Sequence, residues 1–197
     1  MGLVATGSPE LQDQVARFQP QIMTALQRAA SATRERKAGA ECTTWFGDSS
    51  GPFLGRLSKA LSKMRSIINT QRIDVVFAPL KYRSGDENAA AYAPAEGWAE
   101  YLDFAQASRQ GFTIHLNENF RRLPLFCNPS PDQVDGQSQF ETLVHELSHL
   151  ILGTDDEKLG SYTAYGAKAA RDLAKASPYK AKNNAENWGL FVESFRV

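Results

Sequence analysis

The 197-residue chain lacks most of the features that mark a specialised class of protein. It has two cysteines, Cys42 and Cys127, far apart and at no ligand-like spacing. That excludes a disulfide scaffold and a cysteine-built zinc site, and two reduced thiols are expected. Charge of either sign is not in excess: Lys+Arg and Asp+Glu are 22 each. Without a basic surplus there is no electrostatic engine for nucleic acid or an anionic membrane, so neither is an expected partner. Apolar runs are short, as in Val75–Ala78 and Leu150–Leu152, too short for a membrane-spanning helix. Met1 to Pro20 lacks a basic stretch followed by an apolar one and carries Glu10 and Asp13, so it does not read as a signal peptide. Internal repeats and low-complexity tracts are absent. Histidine is scarce, with three copies, so chemistry that depends on imidazole is confined to few positions.

What remains is ordinary globular composition, 42% apolar and 10% aromatic. Leu11, Val15, Phe18, Ile22, Leu26 and Ala29 recur at helical spacing over 9–38, and Pro20 is expected to split that stretch into two helices. A short segment, Thr43–Phe46, precedes a helix at about 53–70. Ile73–Ala78 and Phe112–Leu116 read as strands. Residues 81–110 read as irregular with one short element, and 123–137 as a loop. Ser138 with Glu141 three residues on forms a capping box that starts a helix, and Gly153 ends it. Two more helices are expected near 163–176 and 183–195. The fold class is α+β: mainly helical around a small, mostly antiparallel sheet, with residues 1–39 as a helical segment packed on a 40–197 domain.

His145-Glu146-Leu147-Ser148-His149 falls inside the capped helix. Histidines four apart share a helix face, so both imidazoles can reach one ion. Zinc suits such nitrogen donors and can keep one position open for water. Glu146, beside the first histidine, is placed to take a proton from that water and return it to the departing amine. A third protein ligand is needed. His115 lies upstream, which excludes a downstream third histidine, so carboxylates remain: the turn Gly153-Thr154-Asp155-Asp156-Glu157, or Glu186 and Glu193 on a later helix.

HELSH, then Gly153-Thr154-Asp155-Asp156, Tyr165-Gly166, and Asn184-Ala185-Glu186 with Phe191, together resemble the deuterolysin family of aspzincin zinc metalloendopeptidases, which includes peptidyl-lysine enzymes. Thr43-Thr44-Trp45-Phe46-Gly47 and Phe112–Leu116 with Asn119-Phe120 extend the likeness over about residues 40–195. The resemblance implies a zincin-like fold with one Zn2+ per chain, held by His145, His149 and Asp156, and with Asp155 as the fallback third ligand. It implies Glu146 as the catalytic acid–base and Tyr165 as donor to the developing oxyanion. The family tyrosine follows the aspartate by three residues, whereas Asp156 and Tyr165 are nine apart and position 159 is leucine. An insertion after Asp156 accounts for this, with Tyr162 as the second choice. Glu186 holds the place of an acid that helps form the lysine pocket in lysine-selecting relatives, with capping of the zinc helix as the equal alternative. The family's second acidic position is Gly189. His115, on the strand beside the expected cleft, is a candidate substrate contact.

The leading expectation is therefore a zinc endopeptidase acting on peptide or protein substrates, with a leaning toward basic residues. The alternatives are a zinc amidase on cell-wall peptides and a binding or effector module with a degenerate site. A bacterial effector exported by a dedicated secretion system, or otherwise a cytoplasmic protein, is the expected setting. An inhibitor or immunity protein is then a candidate partner.

Overall fold

The computed structural model describes residues 1–77, 90–93, 112–127 and 136–196. The expectation of an irregular 81–110 therefore lies mostly outside the described residues, as does the middle of the 123–137 loop. Eight helices and six strands are present among the described residues: β1 Gly2–Thr6, α1 Pro9–Arg34, α2 Gly39–Phe46, α3 Gly51–Thr70, β2 Arg72–Phe77, β3 Ala91–Tyr92, β4 Phe112–Leu116, α4 Glu118–Arg122, α5 Gln139–Leu152, β5 Lys158–Leu159, β6 Tyr162–Thr163, α6 Gly166–Ala176, α7 Pro178–Asn183 and α8 Ala185–Glu193.

α1 is one helix, not two. Ser8 caps it, accepting from the Leu11 N–H, and Pro9 sits where a missing N–H costs nothing. Pro20 lies on the exposed side. Leu11, Val15, Phe18, Ile22, Leu26 and Ala29 are all buried on the other. Burial of one continuous face across the proline outweighs the lost hydrogen bond, which corrects the expected split. α3 lies against α1, and the Ser58 hydroxyl donates to the Ala30 carbonyl between them.

The main sheet has the order β1-β2-β4-β3. β1 pairs parallel with β2, β2 parallel with β4, and only the two-residue β3 runs antiparallel, against β4. The expectation of a mostly antiparallel sheet is thus corrected. Parallel neighbours need a crossover, and α1–α3 supply one between β1 and β2. β1 also corrects the reading of the N-terminal segment as helical throughout. A five-residue edge strand of small and β-branched residues has too short a pattern to register alone.

α5 crosses the centre of the molecule and packs on α8. The Ser138 hydroxyl accepts from the Glu141 N–H, which starts α5 as expected, while Gly153 ends it in the left-handed conformation (φ 68°). Only this half of the capping box forms: the Glu141 side chain turns inward instead of back to Ser138. Behind α5 the chain makes a short hairpin, β5–β6, then α6. The final helical stretch is two helices, α7 and α8, broken at Asn184.

Candidate metal centre

Thirteen of the fourteen residues of α5 are buried, so His145, Glu146 and His149 occupy the interior of the fold. The two rings are one turn apart, with Nε2 atoms 3.1 Å from each other. His149 Nδ1 donates to the Thr154 carbonyl at 2.7 Å. That bond fixes the tautomer and leaves Nε2 as a lone-pair donor toward His145. Thr154 is itself held to α5 by its hydroxyl, 2.7 Å from that of Ser148.

The turn after α5 delivers the carboxylate. The Asp155 N–H donates to the Asn183 carbonyl (2.8 Å) and the Ala185 N–H to the Asp155 carbonyl (2.9 Å), pinning the turn to the start of α8. The Glu157 N–H donates to Asn184 Oδ1 (2.9 Å). Asp155 Oδ1 accepts from the Asp156 N–H, so its carboxylate is engaged locally. Asp156 faces the histidines: Oδ1 lies 3.2 Å from His145 Nε2 and 3.4 Å from His149 Nε2.

These three atoms can be tested against a metal. Bonds of 2.0–2.1 Å to a tetrahedral zinc imply ligand-to-ligand edges of about 3.3 Å. The edges here are 3.1, 3.2 and 3.4 Å. Asp156 Oδ1 is also shut from water and accepts no hydrogen bond of good geometry, as expected of an atom reserved for a cation. The donor set fits zinc. Burial disfavours charge on Asp156, but the His145 and His149 rings beside it outweigh that and hold the carboxyl well below its usual range. Burial likewise opposes charging His145, yet the Asp156 and Glu186 carboxylates beside it push its pKa well up.

Glu146 is 3% exposed, with Oε2 unpartnered. Burial raises its pKa, partly offset by His145 and His149, with the Ala93 backbone next to β3 also touching it. Tyr165 returns to the site across the hairpin. The nine-residue interval from Asp156 is absorbed by Lys158–Thr163, six residues in two short strands and a turn at Gly160-Ser161. The Tyr165 hydroxyl donates to Asp156 Oδ2 at 2.9 Å. Tyr162 points to solvent on β6, 54% exposed. Burial and the Asp156 charge raise the Tyr165 pKa, so the hydroxyl keeps its proton.

Glu186 is 0% exposed. Its Oε1 accepts from the Gly166 N–H at 2.6 Å and its Oε2 lies 3.4 Å from His145 Nδ1. Glu186 is therefore enclosed beside His145 of α5, the placement expected of the alternative in which it supports the zinc helix. Glu141, read from sequence as a cap, is a residue the sequence reasoning missed: its Oε1 lies 3.8 Å from the same Nδ1. Gly189 stands at the family's second acidic position, and a Cβ there would come within 2.8 Å of the Glu141 carbonyl oxygen. Glu193 bonds the Cys127 N–H and the Ser138 hydroxyl. His115 is half-buried on β4 and stacked on Tyr92 at 4.9 Å, and it belongs to neither cluster of candidate ligand atoms among the described residues.

A family model described as lysine-specific metallo-endopeptidase (aspzincin M35) matches residues 31–193. The chain belongs to the aspzincin family. It is 38% identical over 87 residues to an extracellular protease of Aeromonas hydrophila, covering 43% of this chain and 21% of that protein. It is 44% identical over 55 residues to a peptidyl-Lys metalloendopeptidase of Armillaria mellea, covering 27% of this chain and 14% of that protein. The chain thus spans a small part of the length of these two relatives. A zinc peptidase from Grifola frondosa superimposes with a TM-score of 0.65 at 23% identity, over 95% of this chain and 97% of that one, and shares its fold. Among the described residues, no helix is long and apolar enough to cross a membrane.

Proposed function

We propose that this aspzincin is a zinc-dependent endopeptidase. The observation that carries the reading is the triangle of His145 Nε2, His149 Nε2 and Asp156 Oδ1, with edges of 3.1–3.4 Å, beside an unpartnered buried Glu146 oxygen. His145, His149 and Asp156 would hold the ion. Zinc, when bound there, supplies Lewis-acid polarisation of a water and of the peptide carbonyl.

The remaining steps belong to the chain. Glu146 takes the proton of the attacking water at its free carboxylate oxygen and passes it to the leaving amine, a task suited by a pKa raised through burial. Tyr165 turns its hydroxyl from Asp156 to the carbonyl oxygen as negative charge gathers there. Thr154 keeps His149 in the tautomer that donates from Nε2. The relative from Armillaria supports a preference for lysine, although Gly189 supplies no second acid and Glu186 is enclosed.

The deciding experiment compares wild type with Glu146→Gln after zinc loading. Peptide cleavage should fall by about 10²–10⁴-fold while zinc content stays at one per chain. Wild-type turnover in the variant would remove Glu146 from the mechanism. Cleavage of muropeptides but not of unfolded protein would turn the reading to the amidase alternative.

A further inference from the structure

Four contacts and one peptide bond around the site form a closed ring. His145 Nε2 faces Asp156 Oδ1 (3.2 Å), and Asp156 Oδ2 accepts from the Tyr165 hydroxyl (2.9 Å). Tyr165 is joined by its peptide bond to Gly166, whose N–H donates to Glu186 Oε1 (2.6 Å). Glu186 Oε2 then returns to the far nitrogen of His145, Nδ1, at 3.4 Å. We infer that Glu186 is a positioning residue that uses one oxygen to hold the His145 imidazole and the other to hold the Tyr165–Gly166 step.

The physical case rests on three features. Glu186 is on α8, His145 on α5 and Gly166 at the start of α6, so one carboxylate ties three elements at a single point. Against His145 Nδ1 it favours the tautomer with the proton on Nδ1 and the lone pair on Nε2, which is the form a metal ligand needs. Against the Gly166 N–H it satisfies a donor at a helix N-terminus, where a negative charge is favoured. The distance between ligand and oxyanion donor is thereby set through one side chain.

Glu141 supports the arrangement from α5. Its Oε1 approaches the same Nδ1 at 3.8 Å and has no hydrogen-bond partner among the described residues. The room for it is made by Gly189: a Cβ there would collide with the Glu141 carboxylate and carbonyl. Two buried carboxylates therefore flank one imidazole nitrogen, His145 Nδ1, and Glu186, being nearer, carries the orienting role. The inference rests on the endopeptidase reading only in taking His145 as a ligand.

The test reads the metal, not the peptide. Zinc affinity is measured by chelator competition on the full chain, and the visible spectrum of the cobalt-substituted protein reports ligand geometry. Glu186→Gln should weaken zinc by about 10–100-fold and change the cobalt spectrum, with thermal unfolding checked beside it. Glu186→Asp, too short to reach both partners, should recover only part of the affinity. Nitrogen-15 histidine spectra of the unmutated protein give a second readout that no folding defect can spoil: His145 should carry its proton on Nδ1. Zinc affinity within twofold of wild type in Glu186→Gln, or a bare Nδ1 in the wild type, overturns the inference. So does an unchanged cobalt spectrum accompanied by a raised KM for lysyl peptides, which would make Glu186 a substrate contact. If no peptide is cleaved yet Glu186→Gln still loses zinc, the peptidase reading fails and this inference holds.

Discussion

The two halves of the molecule bury different chemistry. From β1 through α3, the interior is made of Leu, Ile, Val, Phe, Ala and Met with Cys42 and Trp45, and Thr33 is its buried polar residue, its hydroxyl bonded back to the Ala29 carbonyl. From Ser138 to Glu193 the interior holds Glu141, His145, Glu146, His149, Asn184, Glu186, Asn187 and Glu193 alongside its apolar side chains. Apolar burial stabilises wherever it occurs. Burying carboxylates costs free energy unless each is paired. Four glutamates are enclosed in the second half, and three of them, Glu141, Glu146 and Glu186, have an oxygen with no hydrogen-bond partner. Such a region is organised for chemistry at the expense of stability, and the first half supplies the stability that holds it.

The largest effect that would sharpen this contrast is on turnover. Tyr165→Phe removes a hydroxyl from a residue that is 45% exposed. It should lower kcat by about 10²–10³-fold, the range for one oxyanion donor, with zinc affinity unchanged. Stability should change by about 1 kcal/mol or less. Steady-state kinetics on a lysyl peptide, with zinc titration and thermal melting in parallel, would check it. A small change in kcat would remove Tyr165 from the reaction and leave it as a structural partner of Asp156.

The opposite signature is expected in the scaffold. Leu26 is fully buried on α1, far from any chemistry-bearing side chain in sequence. Leu26→Ala should destabilise by about 2–5 kcal/mol through lost transfer energy and the cavity left. For a chain of this size that corresponds to a fall in Tm of roughly 5–15 °C. Below the new transition, kcat per folded, zinc-loaded molecule should be unchanged. A loss of specific activity matching the loss of stability would break the division of labour between the halves.

The same contrast explains what the sequence made legible. A regular apolar face, a serine cap and a terminal glycine leave periodic, local marks, so the frame of α5 and the phase of α1 were readable before the fold was. The shared face of His145 and His149 was readable because one helical turn separates them, whereas the spacing alone left the third group open among the 153–157 turn, Glu186 and Glu193, and Asp156 was implied by the family resemblance. Pro20 misled because its penalty is local and fixed, whereas the burial that overrides it is spread over seven turns of helix. The parallel sheet was missed because strand direction depends on a crossover, and β1 was too short to declare itself. Glu141 was read as half of a capping box, and Glu186 equally as a pocket acid or as a support of the zinc helix. A carboxylate carries the same letter whether it meets water or the back of an imidazole, and only three-dimensional placement distinguishes the two.

The two halves also meet through charge, and this contact gives the smallest expected effect. Asp48, in the turn between α2 and α3, accepts from Lys182 of α7 at 2.6 Å, and its other oxygen accepts from the Ser50 N–H at 2.8 Å. Lys182 first and Ser50 second lower the Asp48 pKa from 3.8 to about 2. The folded form is thus the stronger acid, so the pair stabilises the fold above the unfolded pKa, and the contribution fades as pH falls from about 4 to 2. Both side chains are roughly a quarter exposed, 23% for Asp48 and 28% for Lys182, so solvent screening reduces the contribution to about 1 kcal/mol. Asp48→Asn should therefore melt a few degrees lower than wild type at pH 7, and the difference should close at pH 2. A gap that persisted at pH 2 would assign the loss to the Ser50 turn and not to the ionic contact between the scaffold and the site.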